Sequence, residues 1–98
     1  MNNITKVSEI TVSDLTEYMR IAEPTTEDNS FLTSALLIAK SYIKDYTGLT
    51  DLDQYADLVI VVFVLCQDMY DNRALYVDNT NLNIVVSNIL NMHRVNLL

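Results

Sequence analysis

Residues 54–73 read QYADLVIVVFVLCQDMYDNR, and the conformation assigned to them decides the fold. From Leu58 to Cys66, nine apolar residues follow one another without a break, and no Gly, Pro, Ser or Asn occurs before Asn72. Five of the nine are β-branched (Val59, Ile60, Val61, Val62, Val64), which by propensity favours a strand. Length overrides propensity, because a typical strand holds only about 5–6 residues. The flanks also continue a helical period. At about 3.6 residues per turn, Tyr55, Leu58, Val59, Val62, Phe63, Cys66, Met69 and Tyr70 share one face. Asp57, Asp68 and Asp71 fall opposite, together with Val61 and Val64. The run is far below the roughly 20 apolar residues that span a bilayer, and acids bracket it, so no membrane association is expected.

Outward from this segment, the 98-residue chain predicts a single all-α domain over 1–98, a small bundle of four helices with helix 54–72 central. One Gly and one Pro cannot supply the turns of an all-β domain. The polar residues 1–10 are expected to form a loose, flexible N-terminal arm. A first helix over 13–22 starts at the capping signature Thr11-Val12-Ser13-Asp14 and stops before Pro24. A second, over 26–47, follows Thr25-Thr26-Glu27-Asp28 and ends at Gly48, a natural left-handed cap. Its apolar face runs from Phe31 and Leu32 to Ile43 and Tyr46, and Leu37 projects among Ser30, Thr33, Ser41 and Lys44 on the other side. The fourth helix, over 83–94, is expected to turn Val85, Val86, Ile89, Met92 and His93 inward and Ser87, Asn88, Asn91 and Arg94 outward.

Composition argues against most chemistry. The net charge is −7, and the six basic residues are scattered, whereas phosphate binding needs clustered positive charge. Cys66 is the lone cysteine and lies inside the apolar run, where a thiol behaves as a small hydrophobe. The segment MNNITKVSEI lacks the apolar stretch of a secretory signal. Asp51, Asp53 and Asp57 fail as a calcium loop, because Ala56 and Val62 stand where Gly and an acid are required. His93, the only histidine, has no motif partner for catalysis or metal binding and reads as a structural side chain. No catalytic residue, cofactor or metal site is expected, nor a small-molecule substrate.

The order of several short patterns is familiar. Leu15-x-x-Tyr18-Met19-Arg20-Ile21 is followed by Glu27-Asp28, then by Ala39-x-x-Tyr42-Ile43-x-x-Tyr46-Thr47-Gly48, and Tyr70-Asp71-Asn72-Arg73 closes the third helix. Leu90 and Arg94 complete the set. In this order the chain resembles the small head–tail connector (adaptor) proteins of long-tailed bacteriophages, from about Val12 to Arg94. Two positions depart from the family pattern: Met69 replaces a bulky aromatic, and no proline precedes the last helix.

The resemblance implies an all-helical structural protein of the virion, assembled in the host cytoplasm. It implies a ring of about a dozen copies, closed by head-to-tail contacts, between the portal protein and the tail-completion proteins. DNA would pass through the channel without specific binding, and an acidic protein suits that passage. Ring contacts need outward apolar residues. Periodicity nominates Leu37, Val61 and Val64 as the subunit interface. The alternative is a small helical regulatory or protein-interaction module that forms a dimer.

Overall fold

A computed structural model describes residues 4–95. It is all helical among these residues, with α1 at Val12–Tyr18, α2 at Thr26–Thr47, α3 at Leu58–Asn72 and α4 at Ile84–Met92. Three short 3-10 turns, Val7–Glu9, Leu52–Gln54 and Asn79–Asn81, punctuate the connections. The apolar run 58–66 is helix, and it is central: α3 packs on α1, α2, α4 and the first 3-10 turn.

Local chemistry explains each boundary. The capping boxes at Thr11 and Thr25 are both closed. In the second, the Asp28 N–H donates to Thr25 Oγ1 at 3.0 Å and the Thr25 N–H donates to Asp28 Oδ2 at 3.0 Å. Two orphan donors at the helix start are thus satisfied. α2 ends at Thr47, and Gly48 takes the left-handed conformation at φ 77°, so the predicted 26–47 is met at both ends. α1 stops four residues short of the predicted 22. Its terminator is Arg20 at φ 59°. The Ile21 N–H donates to the Thr16 carbonyl at 2.9 Å and the Arg20 N–H to the Glu17 carbonyl at 3.1 Å, a Schellman turn built on a non-glycine residue. α3 ends in the same way, with Arg73 at φ 51° and the Ala74 N–H bonded to the Met69 carbonyl at 3.1 Å.

α3 begins at Leu58 rather than 54, because Tyr55 is extended. Its ring is thereby freed to stack on His93 with centroids 4.0 Å apart. α4 is trimmed to Ile84–Met92, with Asn83 Oδ1 accepting from the Val85 N–H at 2.8 Å.

The expected loose arm over 1–10 needs correction. Residues 1–3 lie outside the described residues. Val7 and Ile10, however, are buried in the common core. Asp53 fastens the segment, accepting from the Ser8 N–H at 2.9 Å and from Ser8 Oγ at 2.7 Å. An apolar pair three residues apart on a 3-10 turn is enough to dock a polar stretch when a carboxylate waits opposite. The apolar C-terminal tail begins at Val95, whose N–H donates to the Thr47 carbonyl at 2.7 Å, and residues 96–98 lie outside the described residues.

Thr47 is a buried polar hinge between these parts. Its hydroxyl donates to the Ile43 carbonyl at 2.6 Å and accepts from the Leu49 N–H at 3.2 Å. Thr47→Val keeps the shape and removes both bonds, leaving the Leu49 N–H unpaired. Urea denaturation is expected to register a loss of about 1–3 kcal/mol, and Thr47→Ser is expected to recover most of it. Equal stability of Thr47→Val and the parent would refute the role given to the hydroxyl.

Candidate interaction surfaces

The reactive side chains are committed to architecture. The imidazole of His93 is mostly buried, and its Nε2 lies 2.9 Å from both carboxylate oxygens of Asp57. A carboxylate only accepts, so Nε2 carries the proton. With Tyr55 stacked on the ring, this pair ties the end of α4 to the start of α3. Cys66 is wholly buried, and burial pushes its thiol up to about 12, which leaves no thiolate for nucleophilic work. Among the described residues, no group of three or more His, Cys, Asp or Glu is placed to hold a metal ion. Among the described residues, no helix is long and apolar enough to cross a membrane.

The patterns that carry the resemblance meet in space. Tyr70, near the end of α3, donates its hydroxyl to Asp28 Oδ1 at 2.9 Å, at the start of α2. The Arg73 guanidinium lies over the Tyr70 ring at 4.3 Å and 3.9 Å from Asp28 Oδ1. Phe31 meets the same ring edge-on at 6.0 Å. Asp28 therefore closes a helix cap with one oxygen and locks α3 with the other. The three left-handed residues of the described chain, Arg20, Gly48 and Arg73, each fall at or next to the last residue of one of these patterns. The tyrosines of α2 have similar duties: Tyr42 donates to Asn79 Oδ1 and Tyr46 to Asn91 Oδ1, both at 2.6 Å.

The Thr25 N–H, the Tyr70 hydroxyl and the Arg73 charge together hold the Asp28 carboxyl below its ordinary value of 3.8. Hydrogen bonds from Ser8 do the same for Asp53, and those from Asn81 and Thr80 for Asp78. A carboxyl depressed in the folded state adds stability that is complete above the unfolded value and is lost as pH falls through the folded one. The urea midpoint is thus expected to fall on acidification below about pH 4. Asp28→Asn is expected to be less stable than the parent at neutral pH, with the gap closing in acid. A gap that persists unchanged in acid would separate Asp28 from this pH dependence.

The three nominated interface residues do not form one surface. Leu37 is 64 % exposed on the outer side of α2, and Val64 is half-buried. Val61 is 0 % exposed and belongs to the core, which corrects its placement on the outer stripe. Buried positions of α3 occupy an arc of about 200°, because the docked N-terminal turn covers a flank that a four-helix count leaves open. The true outer stripe of α3 holds Ile60, Val64, Asp68 and Asp71.

The richest apolar surface lies elsewhere. Val85 and Met92, expected inside, are exposed, and Ile84 and Val95 join them. Ile84 is 71 % and Met92 68 % exposed. Val86, buried, and Ile89 and His93, half-buried, face inward as expected, and the buried Leu90 joins them on the inner side of α4. Only asparagines, Asn88 and Asn91, interrupt the outward apolar face, which carries no charge. Near the other end of the chain's last connection, a cleft of about 520 Å³ opens between α3 and residues 74–82. Leu65, Met69 and Leu82 line its apolar part, and Asp68, Asp78 and Tyr76 its polar part. Comparison with protein-family models, curated proteins and solved structures returned no match.

Proposed function

We propose that this chain is a structural subunit of the head–tail connector of a long-tailed bacteriophage. In this reading copies form a ring between the portal protein and the tail-completion proteins, made in the host cytoplasm and retained in the virion. The observation that carries it is the lock among Asp28, Tyr70 and Arg73. Two of the patterns on which the resemblance rests are 42 residues apart in the chain, yet they act as one joint. That these patterns act together in holding this fold supports reading them as one set and not as isolated residues. The role is mechanical, with no reaction assigned. The net charge of −7 disfavours adhesion of DNA moving through a channel.

The test is assembly with a phage portal protein. Negative-stain electron microscopy of the mixed proteins should reveal a second ring seated on the portal. A chain that stays monomeric alone and also fails to join the portal would overturn the reading. Monomer in isolation is compatible with it, because a partner that binds only the assembled form draws the equilibrium over. The competing reading, a dimeric helical interaction module, draws on the uncharged face of α4 and predicts a two-fold dimer with no affinity for a portal.

A further inference from the structure

The acidic residues are unevenly spread. All thirteen precede Asn79, whereas residues 79–98 hold one arginine and no acid. For a chain of net charge −7, most approaches between two copies meet like-charge repulsion. The outer face of α4 is the exception. It presents Ile84, Val85 and Met92 to solvent, and just past its end follow the exposed Val95 and Arg94, whose guanidinium rests over the Tyr46 ring at 5.1 Å. A contiguous apolar face with a polar edge is the usual mark of a protein contact.

A complementary surface exists on the same chain. The cleft between α3 and residues 74–82 presents the exposed Tyr76 and the half-buried Val77 and Leu82, above a floor of the buried Leu65 and Met69, with Asp68 on its rim. Asp71 stands one helical turn from Asp68 and accepts from Gln67 Nε2 at 2.8 Å. Among the described residues the charged pairs are Arg73 with Asp28 and His93 with Asp57, so no cation is paired with Asp68. Partial burial and the neighbouring Asp71 charge raise the Asp68 carboxyl above its ordinary value. A guanidinium brought to this rim would relieve that repulsion.

We infer that the outer face of α4 of one copy docks, head to tail, against the acid-rimmed cleft of a second copy, with Arg94 facing Asp68 and Asp71. The contact is heterologous, since the two surfaces differ and complement each other, and repetition of it generates a ring if the rotation closes. The inference deepens the connector reading and rests on it for the head-to-tail sense.

The test is an NMR titration of the full chain against itself, from micromolar to millimolar concentration. Signals of Val85 and Met92 and those of Met69 and Leu82 are expected to move together. Arg94→Glu and Asp68→Lys are each expected to weaken self-association by about tenfold or more, and the two combined in one chain to restore it. Met92→Asp is expected to abolish it while leaving the helical circular-dichroism signal intact, because the side chain is exposed. Shifts confined to α4 would mean α4 packing on α4 and would overturn the inference. So would the absence of any concentration dependence, or a double variant no better than the single ones. Portal binding separates the two ideas. If the parent and Arg94→Glu join the portal ring equally well, the docking inference falls and the connector reading stands. If the α4 and cleft signals move together but the chain never joins a portal, the connector reading falls and the contact stands.

Discussion

Val61→Asp is expected to leave no folded protein. Val61 has no exposed surface, and it sits on the helix around which α1, α2, α4 and the N-terminal 3-10 turn are packed. A carboxylate there would be buried without a cation or a set of donors. Such a group costs several kcal/mol even after the protein relaxes. A domain of this size has a total stability of only about 5–15 kcal/mol. Loss of the helical circular-dichroism signal without denaturant is therefore expected. Val61→Ala serves as the graded control: it removes packing without adding charge, folds, and loses about 1–3 kcal/mol in urea denaturation. Val64→Asp, at a half-buried position of the same helix, is expected to remain folded. A folded Val61→Asp of parental stability would move Val61 out of the core. It would also revive the outer-stripe placement, under which the variant should fold and fail only in assembly.

The second large effect is expected at Phe63, the largest of the fully buried side chains. Its ring meets that of Tyr18 with centroids 4.9 Å apart and planes inclined by 51°, so it joins the short α1 to the central helix. Phe63→Ala removes the ring and leaves a cavity, for which a loss of about 3–5 kcal/mol is expected. Tyr18→Ala is expected to cost less, because Tyr18 is partly exposed. A double-mutant cycle should isolate about 0.5–1.5 kcal/mol for the ring pair itself. The readout is the urea midpoint at unchanged slope. A loss below about 1 kcal/mol for Phe63→Ala would mean that the site collapses around the gap and that α1 is only loosely held.

What could be read in advance follows from where the signals are local. α2 is legible at both ends because a Thr-x-x-Asp box opens it and a glycine closes it. α1 is not, because its stop is an arginine in a left-handed conformation, and nothing in the residue type announces that. α3 is legible as helix from the length of its apolar run, but its start is blurred. Tyr55 keeps the apolar period while its backbone is extended. Burial around α3 depends on how many neighbours it has. The N-terminal turn adds one through Val7 and Ile10, and its anchor on Asp53 lies 45 residues away. Periodicity alone therefore puts Val61 on the wrong face, while Leu37 is exposed as its spacing implies. In α4, Val86, Ile89 and His93 turn inward as their spacing implies, whereas Val85 and Met92 turn out. Periodicity defines an apolar stripe, but here the stripe is wide, and tertiary ties choose which part turns inward. Those ties are the His93 pair with Asp57 and the burial of Val86 and Leu90. The absence of acids after Asp78 was the sequence signal that this last helix has an unusual outer face.

The burial of Cys66 has a practical consequence. A thiol that is inaccessible and undissociated in the native state is alkylated only when the bundle opens around it. The chain thus carries one chemical clock for its own global unfolding, with no label to introduce. Under conditions where reclosing is fast, the alkylation rate divided by that of a free thiol is the population of the open state. The rate should climb with urea along the same slope as the equilibrium curve. Because the reading needs neither optical clarity nor purity, it extends to chains held in a large assembly. There, slower modification than in free subunits would measure how much the surrounding particle stabilises each one. A labelling rate indifferent to urea would reveal instead a small local opening beside α3.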